Sequence, residues 1–323
     1  MSDGVFVTGG SGFLGRAVVR RLVDEGRRVV ALCRSDAAHR ALVDLGAETV
    51  VGDVRDQDSL GGALRGCPVV YHLAGVNALC LKDPSEMFAA NVLGSKNVVE
   101  AAARNEVRRV VYTSSASTLG ESSGTVGHEA SAHRGWFLSS YERSKFEGER
   151  VARARARELD LDLVCLNPSS VQGPGRSGGT ARILTAYLNG RLRVFVDTRI
   201  SLVDIDDCTE GHVRAETLGA PGERYVLSGA ALSTTEALEL AARIAGVTHR
   251  PRVVPGWLAL GAATAIEGFA RVRNRVPPAC REMVRTIQFG HDYDGSRAAR
   301  ELGVVYRPVE DTLRREQGLI PPA

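Results

Sequence analysis

The chain has 323 residues, 44% hydrophobic and 24% charged, which supports a sizeable buried core in one large or two smaller domains. Its net charge of +3, from 41 basic and 38 acidic residues, is too small to argue for nucleic acid or an anionic membrane as partner, and no basic stripe is interleaved with aromatics. The six cysteines form no C-x-x-C pair and several lie in apolar runs, a pattern that fits buried free thiols in a reducing cytoplasm better than a disulfide framework. The first residues, MSDGVFVTGG, show neither a basic nor a long apolar leader, so a cytoplasmic location is expected.

In chain order, GVFVT (4–8), RVVALC (28–33), AETVV (47–51), PVVYHL (68–73), RRVVYTS (108–114) and LDLVCL (161–166) read as strands. Helical patterns such as FLGRAVVRRLVDEG and NVLGSKNVVEAAARN separate them. Near-continuous apolar strands alternating with helices predict a doubly wound parallel α/β sheet covered on both faces. After NPSSVQGPGRSGGTA (167–181) the rhythm becomes irregular, with a strand near 193–196, another at ERYVLSG and a mainly helical remainder. The segment WLALGAATAIEGFA (257–270) carries Glu267 and is too short to span a bilayer, so it is expected as a buried helix or a pocket wall. The domain division that follows is a nucleotide-binding domain over 1–166, with 190–230 contributing returning elements. A smaller substrate lobe covers 167–189 and 231–323.

VTGGSGFLG follows the first strand and opens the first helix, satisfying G-x-G-x-x-G through Gly10, Gly12 and Gly15 and T-G-x-x-G-x-x-G through Thr8, Gly9, Gly12 and Gly15. Glycines there allow a tight turn and close approach of the backbone to a pyrophosphate at a helix N-terminus. With Phe13 and Leu14 they form the candidate dinucleotide cradle. An acid at the end of the second strand would hold the ribose of NAD, but ALCRS places Cys33 and Arg34 there. An arginine fork suits a 2′-phosphate, so NADP(H) is expected over NAD(H), the alternative being a solvated surface arginine. Arg40 is a second candidate phosphate ligand, and Asp53 and Val54 of GDV are candidates to cover the adenine.

Of the 41 basic residues only Lys82, Lys96 and Lys145 are lysines. Lys145 stands at i+4 from Tyr141, on one helix face. A nearby ammonium is expected to favour the phenolate and pull the phenol pKa toward neutrality, and lysine, unlike arginine, can release a proton. VVYTSSAS supplies a hydroxyl at a strand end, with Thr113 and Ser114 finishing the strand and Ser115 placed to hold a carbonyl oxygen. Each motif alone has an ordinary reading, as helix spacing or as turn chemistry; the combination behind a nucleotide turn points to acid–base chemistry beside a cofactor.

Together, TGGSGFLG, GDV, YHLAG, NVLGSKNVVEAA, VYTSSAS, YERSK and NPSSVQGPG resemble an extended short-chain dehydrogenase/reductase over nearly the whole chain. The resemblance implies a Rossmann-type sheet, a bound nicotinamide cofactor and a catalytic triad of Ser115, Tyr141 and Lys145. It also implies a supporting role for Asn91 at the opening of the fourth helix. Ala74 and Gly75 would lie beside the nicotinamide ribose, and Pro168, Ser170 and Val171 in the loop over the nicotinamide.

STLG, with Leu119 in place of the usual tyrosine, and TRISLVDIDD depart from sugar-nucleotide epimerases and dehydratases and look more like the dihydroflavonol-reductase-like branch. The late acidic pair, Asp206 and Asp207, also reads as a helix cap. The expected activity is reduction of a ketone or aldehyde on a hydrophobic small molecule, with Leu79, Leu119, Trp136, Phe137 and Tyr187 as candidate substrate contacts. A sugar-nucleotide epimerase or dehydratase that retains its cofactor is the alternative. A third reading, a non-catalytic NADP redox sensor, is set aside because Tyr141 and Lys145 are both retained. His128, His133 and His212 lack ligand spacing, so no metal is expected. Helices 86–104 and 139–158 are candidates to pair across a homodimer two-fold axis.

Overall fold

The computed structural model describes residues 4–176 and 178–316. Seven strands form one parallel sheet: β1 (Val5–Thr8), β2 (Val29–Cys33), β3 (Glu48–Val51), β4 (Val69–His72), β5 (Arg109–Thr113), β6 (Asp162–Pro168) and β7 (Arg224–Leu227). The six strands expected in the first half all form, within two residues at each end, and ERYVLSG supplies β7. Side chains alternate between two buried layers: Val5, Val7, Tyr71 and Val111 pack on one face, and Phe6, Val70, Val110 and Leu163 on the other. Burial on both faces is why these strands read as unbroken apolar runs. The strand order is β7-β6-β5-β4-β1-β2-β3, so the chain reverses between β1 and β4 and opens a crevice at their carboxyl ends.

Helices cover both faces of the sheet. α1 (Phe13–Asp24) and α2 (Asp36–Val43) bury Val18, Val19, Leu22 and Leu42 on the first face. α3 (Gly94–Arg104) and α4 (Ser140–Glu158) bury Val98, Val99, Ala152 and Ala156 on the second. α5 (Ile205–Leu218) returns to the first face through Cys208 and Ala215. Its cap is Asp204, whose side chain accepts from the Asp206 backbone N–H at 2.8 Å. The acidic pair expected to cap this helix lies inside its first turn instead and binds Arg307 and Arg315.

A smaller sheet sets Arg199–Asp204 between Ser170–Gln172, parallel to it, and Ala230–Ser233, antiparallel. Around it lie Thr180–Leu188, Thr234–Ala245, α6 (Gly256–Val272) and α7 (Arg281–Phe289). α6 is the apolar segment expected as a buried helix or pocket wall. Ala263 and Ala270 are buried, but Trp257, Phe269 and Val272 face outward and are exposed. No helix among the described residues is long and apolar enough to cross a membrane.

One cysteine expectation is overturned. Cys33, Cys67, Cys165 and Cys208 are buried free thiols, but Cys80 and Cys280 form a disulfide, with Cα atoms 5.6 Å apart and a sequence separation of 200. Nothing local marks the pair, because only the tertiary fold brings the loop after β4 to the start of α7.

Candidate active site

The glycine turn sits at the crevice beside β1 and β4. Gly9 adopts φ +73°, and a Cβ there would stand 2.5 Å from the Ala74 nitrogen; one on Gly15 would stand 2.1 Å from the Gly9 carbonyl oxygen. Only glycines let this turn pack against both the β4 end and α1. The N-terminus of α1 has no side-chain cap, the arrangement in which first-turn N–H groups remain available to an anion. Thr8 closes the floor: its hydroxyl pairs with His72 Nδ1 at 2.6 Å and accepts from the Ala74 N–H at 3.3 Å. Leu14 lines the adjoining cavity, and Phe13 lies under the Arg176 guanidinium, 5.1 Å from the ring centre.

Arg34 follows β2 directly, is exposed and lies 3.6 Å from the Asp53 carboxylate. Arg55 binds the same carboxylate at 2.8 Å and is the main cause holding Asp53 below the usual carboxylate pKa. Val54 is buried against Gly94, and its carbonyl accepts from Asn97 at 3.0 Å. Arg40 lies exposed in the last turn of α2 and makes no ion pair among the described residues.

The candidate acid–base groups converge at the end of β5. Ser114 is buried and donates to Glu149 at 2.5 Å. Ser115 caps the short helix Ala116–Leu119, its hydroxyl 2.9 Å from that of Ser117. Ser139 caps α4 and accepts from the Glu142 N–H at 3.1 Å, which puts Tyr141 in the first turn and Lys145 one turn later. Ser115 faces Tyr141 closely enough to favour its phenolate, and the buried Lys145 Nζ donates to the Thr113 carbonyl at 2.9 Å. Burial pulls Lys145 down to about 8, against the pull of Glu149. For Tyr141 burial wins too: its phenol pKa is raised, despite the neighbouring Ser115 and the Arg176 charge. The expectation that Lys145 would draw it toward neutrality does not hold in this arrangement, where the ammonium is turned to a backbone carbonyl.

Asn91 lies in a π-helical turn, Ala89–Leu93, ahead of α3 rather than at its first residue. Its carboxamide accepts from the Val76 N–H at 2.7 Å and donates to the Val76 carbonyl at 3.0 Å and the Ser144 hydroxyl at 2.8 Å. It thereby ties the loop carrying Ala74 and Gly75 to α4. A Cβ at Gly75 would lie 3.1 Å from Asn91 Oδ1 and 3.7 Å from Lys145 Nζ, so this loop passes close to both.

Residues 5–228, more than half of the chain, match the family model described as NAD dependent epimerase/dehydratase family. The chain belongs to that family. It is thus an extended short-chain dehydrogenase/reductase and an NAD(P)-dependent oxidoreductase. A Synechocystis sp. protein named after dihydroflavonol 4-reductase is 31% identical, covering 97% of this chain and 93% of its own. Sterol demethylase protein B of Methylococcus capsulatus is 32% identical, covering 93% and 92%. Among solved structures, that of gox2253 superposes with a TM-score of 0.86 at 30% identity, covering 98% of this chain and 97% of that one.

In this epimerase/dehydratase-family chain, Ser115 and Tyr141 open into a cavity of about 760 Å³. Pro168, Ser170 and Val171 line it near the crevice, and Ile183, Phe195, Leu238, Ala263, Met283 and Ile287 wall its far part. Of the five expected substrate contacts only Leu79 lines this cavity. Leu119 is buried with Ala116, Val226 and Tyr293 in a core cluster. Tyr187 is buried with Leu184 and Leu238, its hydroxyl donating to the His249 carbonyl. Trp136 and Phe137 line a separate outer cleft beside Cys80 and Cys280; Trp136 is edge-on to Phe289 and Phe137 packs on Phe146.

Sequence reasoning missed two charged residues of the site. Arg176 lines the cavity and bears electrostatically on Tyr141; its signal was a lone cation in a Gly/Pro-rich loop. Glu149 binds Ser114, Thr118, Asn167 and Arg224. Its signal was an acid at i+4 from Lys145 on the buried helix face.

Proposed function

We propose that the chain is an NADPH-dependent reductase of a ketone or aldehyde on a hydrophobic small molecule. The observation that carries this reading is the opening of the Ser115–Tyr141 pair into a largely apolar cavity. The names of relatives, a flavonoid reductase and a sterol-processing protein, support the substrate class.

The glycine turn and the open α1 N-terminus fit a pyrophosphate, and a Cβ at Gly9 or Gly15 would fill that space. Arg34 fits a 2′-phosphate, being exposed and close to the cradle strand. When bound, NADPH supplies the hydride. Ser115 holds and polarises the substrate carbonyl, whose oxygen takes the C=O electron pair as its carbon is reduced. Tyr141, kept as the neutral phenol by burial, gives its proton to that oxygen and completes the alcohol. Lys145, with its pKa pulled down to about 8 by burial, is suited to pass a proton back to the phenolate. Asn91 positions the Gly75 loop beside that lysine.

The test is turnover of hydrophobic ketones with NADPH followed by absorbance loss of the reduced nicotinamide. One NADPH consumed per alcohol formed is expected, with Tyr141→Phe slower by about 10²–10⁴-fold and cofactor affinity kept. Isomerisation or dehydration of a nucleotide sugar with no net loss of the reduced cofactor would replace this reading by the epimerase/dehydratase one.

A further inference from the structure

α6 is apolar nearly all round, a composition that belongs inside a protein or a membrane. Its inner face is accounted for: Ala259, Ala263 and Ile266 line the cavity. Its outer face is not. At about 100° per residue, Trp257, Leu258, Gly261, Ala265, Phe269 and Val272 fall on one arc of about a third of the helix circumference, and all six are exposed. Trp257 is 74% exposed, Phe269 60% and Val272 88%. No charged side chain stands in that arc, and exposed Val253 precedes the helix and exposed Val276 follows it in sequence.

The charges that flank this strip in sequence are almost all of one sign. Residues 250–281 hold six arginines, Arg250, Arg252, Arg271, Arg273, Arg275 and Arg281, against a single acid, Glu267. That exceeds the +3 of the whole chain, so the average hid a strongly cationic segment. Glu267 is neutralised by Arg271 at 2.6 Å and Arg281 at 3.2 Å. Arg273 lies 4.2 Å over the Phe269 ring, a cation beside an apolar anchor. Aromatic and aliphatic side chains along one face, with arginines at the margins, are the makeup of a helix that lies in a bilayer interface.

We propose that the outer face of α6 and its flanking arginines dock on an anionic lipid surface. The helix then has membrane on one side and the cavity on the other. Its use as the route by which an apolar substrate arrives rests on the function proposed above; the docking itself does not.

Flotation with phosphatidylglycerol and with phosphatidylcholine vesicles tests this on the intact protein. Binding to phosphatidylglycerol at least about tenfold stronger than to phosphatidylcholine is expected, weakening with salt. In Trp136→Phe, Trp257 is the remaining tryptophan, and its emission should shift to the blue on adding the anionic vesicles. Phe269→Ser with Val272→Ser should lower binding at least about tenfold, and Arg273→Glu with Arg275→Glu should erase the lipid preference. Thermal unfolding checks that each variant is folded; the charge reversal is wholly on the surface and carries the test if the apolar pair misfolds. Absence of flotation with phosphatidylglycerol, or binding unchanged in both variants, overturns the proposal. So does a concentration-dependent dimer broken by Phe269→Ser with Val272→Ser in a protein that ignores vesicles, which would make a second copy the occupant. Turnover of a water-soluble ketone by these variants separates the two proposals: lost flotation with turnover retained concerns the surface alone.

Discussion

The guanidinium of Arg34 stands 3.6 Å from the carboxylate of Asp53, so two residues expected at different parts of a dinucleotide meet at one edge of the crevice. Arg55 also binds Asp53, at 2.8 Å, so the exposed Arg34 shares that carboxylate and its charge is incompletely matched. A 2′-phosphate would complete that match. Arg34→Ala should weaken NADPH by about 1.5–3 kcal/mol, roughly ten- to a hundredfold, and leave NADH nearly unchanged. Fluorescence titration of the two reduced cofactors checks this. An equal effect on both would make Arg34 a surface cation.

The glycine turn makes a harsher demand. Gly15→Ala would force a methyl to within 2.1 Å of the Gly9 carbonyl, which is backbone and cannot swing away. Loss of binding of both cofactors is expected, with destabilisation of about 1–3 kcal/mol or more. Gly62→Ala, where an added Cβ meets nothing within 4 Å, is the control and should behave as the parent protein in titration and thermal unfolding. Normal cofactor binding by Gly15→Ala would remove the cradle from the site.

Lys145 should reveal itself in the pH dependence of stability. Its pKa falls from 10.5 to about 8 on folding, so between those values the unfolded chain binds the proton that the folded one has released. Stability from this group therefore rises as pH goes from about 8 to 10.5, and below 8 the buried ammonium costs about 3 kcal/mol. Lys145→Met removes that dependence, though it also loses the bond to the Thr113 carbonyl. Denaturant unfolding at pH 7 and pH 10 should show the variant losing ground to the parent at the higher pH. A pH-independent difference would mean that the lysine keeps an ordinary pKa.

The disulfide should contribute to stability. It closes a loop of 200 residues and joins the segment after Leu79 to the segment after Ala279, both cavity-lining residues. Cys280→Ser or a reductant should cost about 2–5 kcal/mol, read as a fall in melting temperature, and should raise KM more than it lowers kcat. An unchanged melting temperature in reductant would show that the bond does not constrain the unfolded chain.

Legibility followed locality. β1, β4 and β5 were readable because burial on both faces demands apolar runs. The turn at Gly9–Gly15 and the Tyr141–Lys145 pair were readable because their chemistry is written in adjacent spacing. The cavity was not: its walls come from Leu79, Ile183, Phe195, Leu238, Ala263 and Met283, and nothing local separates such residues from core. Leu119 and Tyr187 went to the core for that reason. The partners of Cys80 and of Glu149 are likewise products of tertiary folding, and the phenol pKa of Tyr141 turned on burial, which spacing does not report.

Glu149 holds Ser114, Thr118, Asn167 and Arg224, joining the end of β5 with β6, β7 and α4 behind Ser115 and Tyr141, and neither it nor the last three reach the cavity wall. Ser114 apart, the frame behind Ser115 and Tyr141 and the wall of the cavity are therefore different residues. A lineage carrying this chain can alter what it accepts by drift at Ile183, Phe195 or Met283 while inheriting the machinery unaltered.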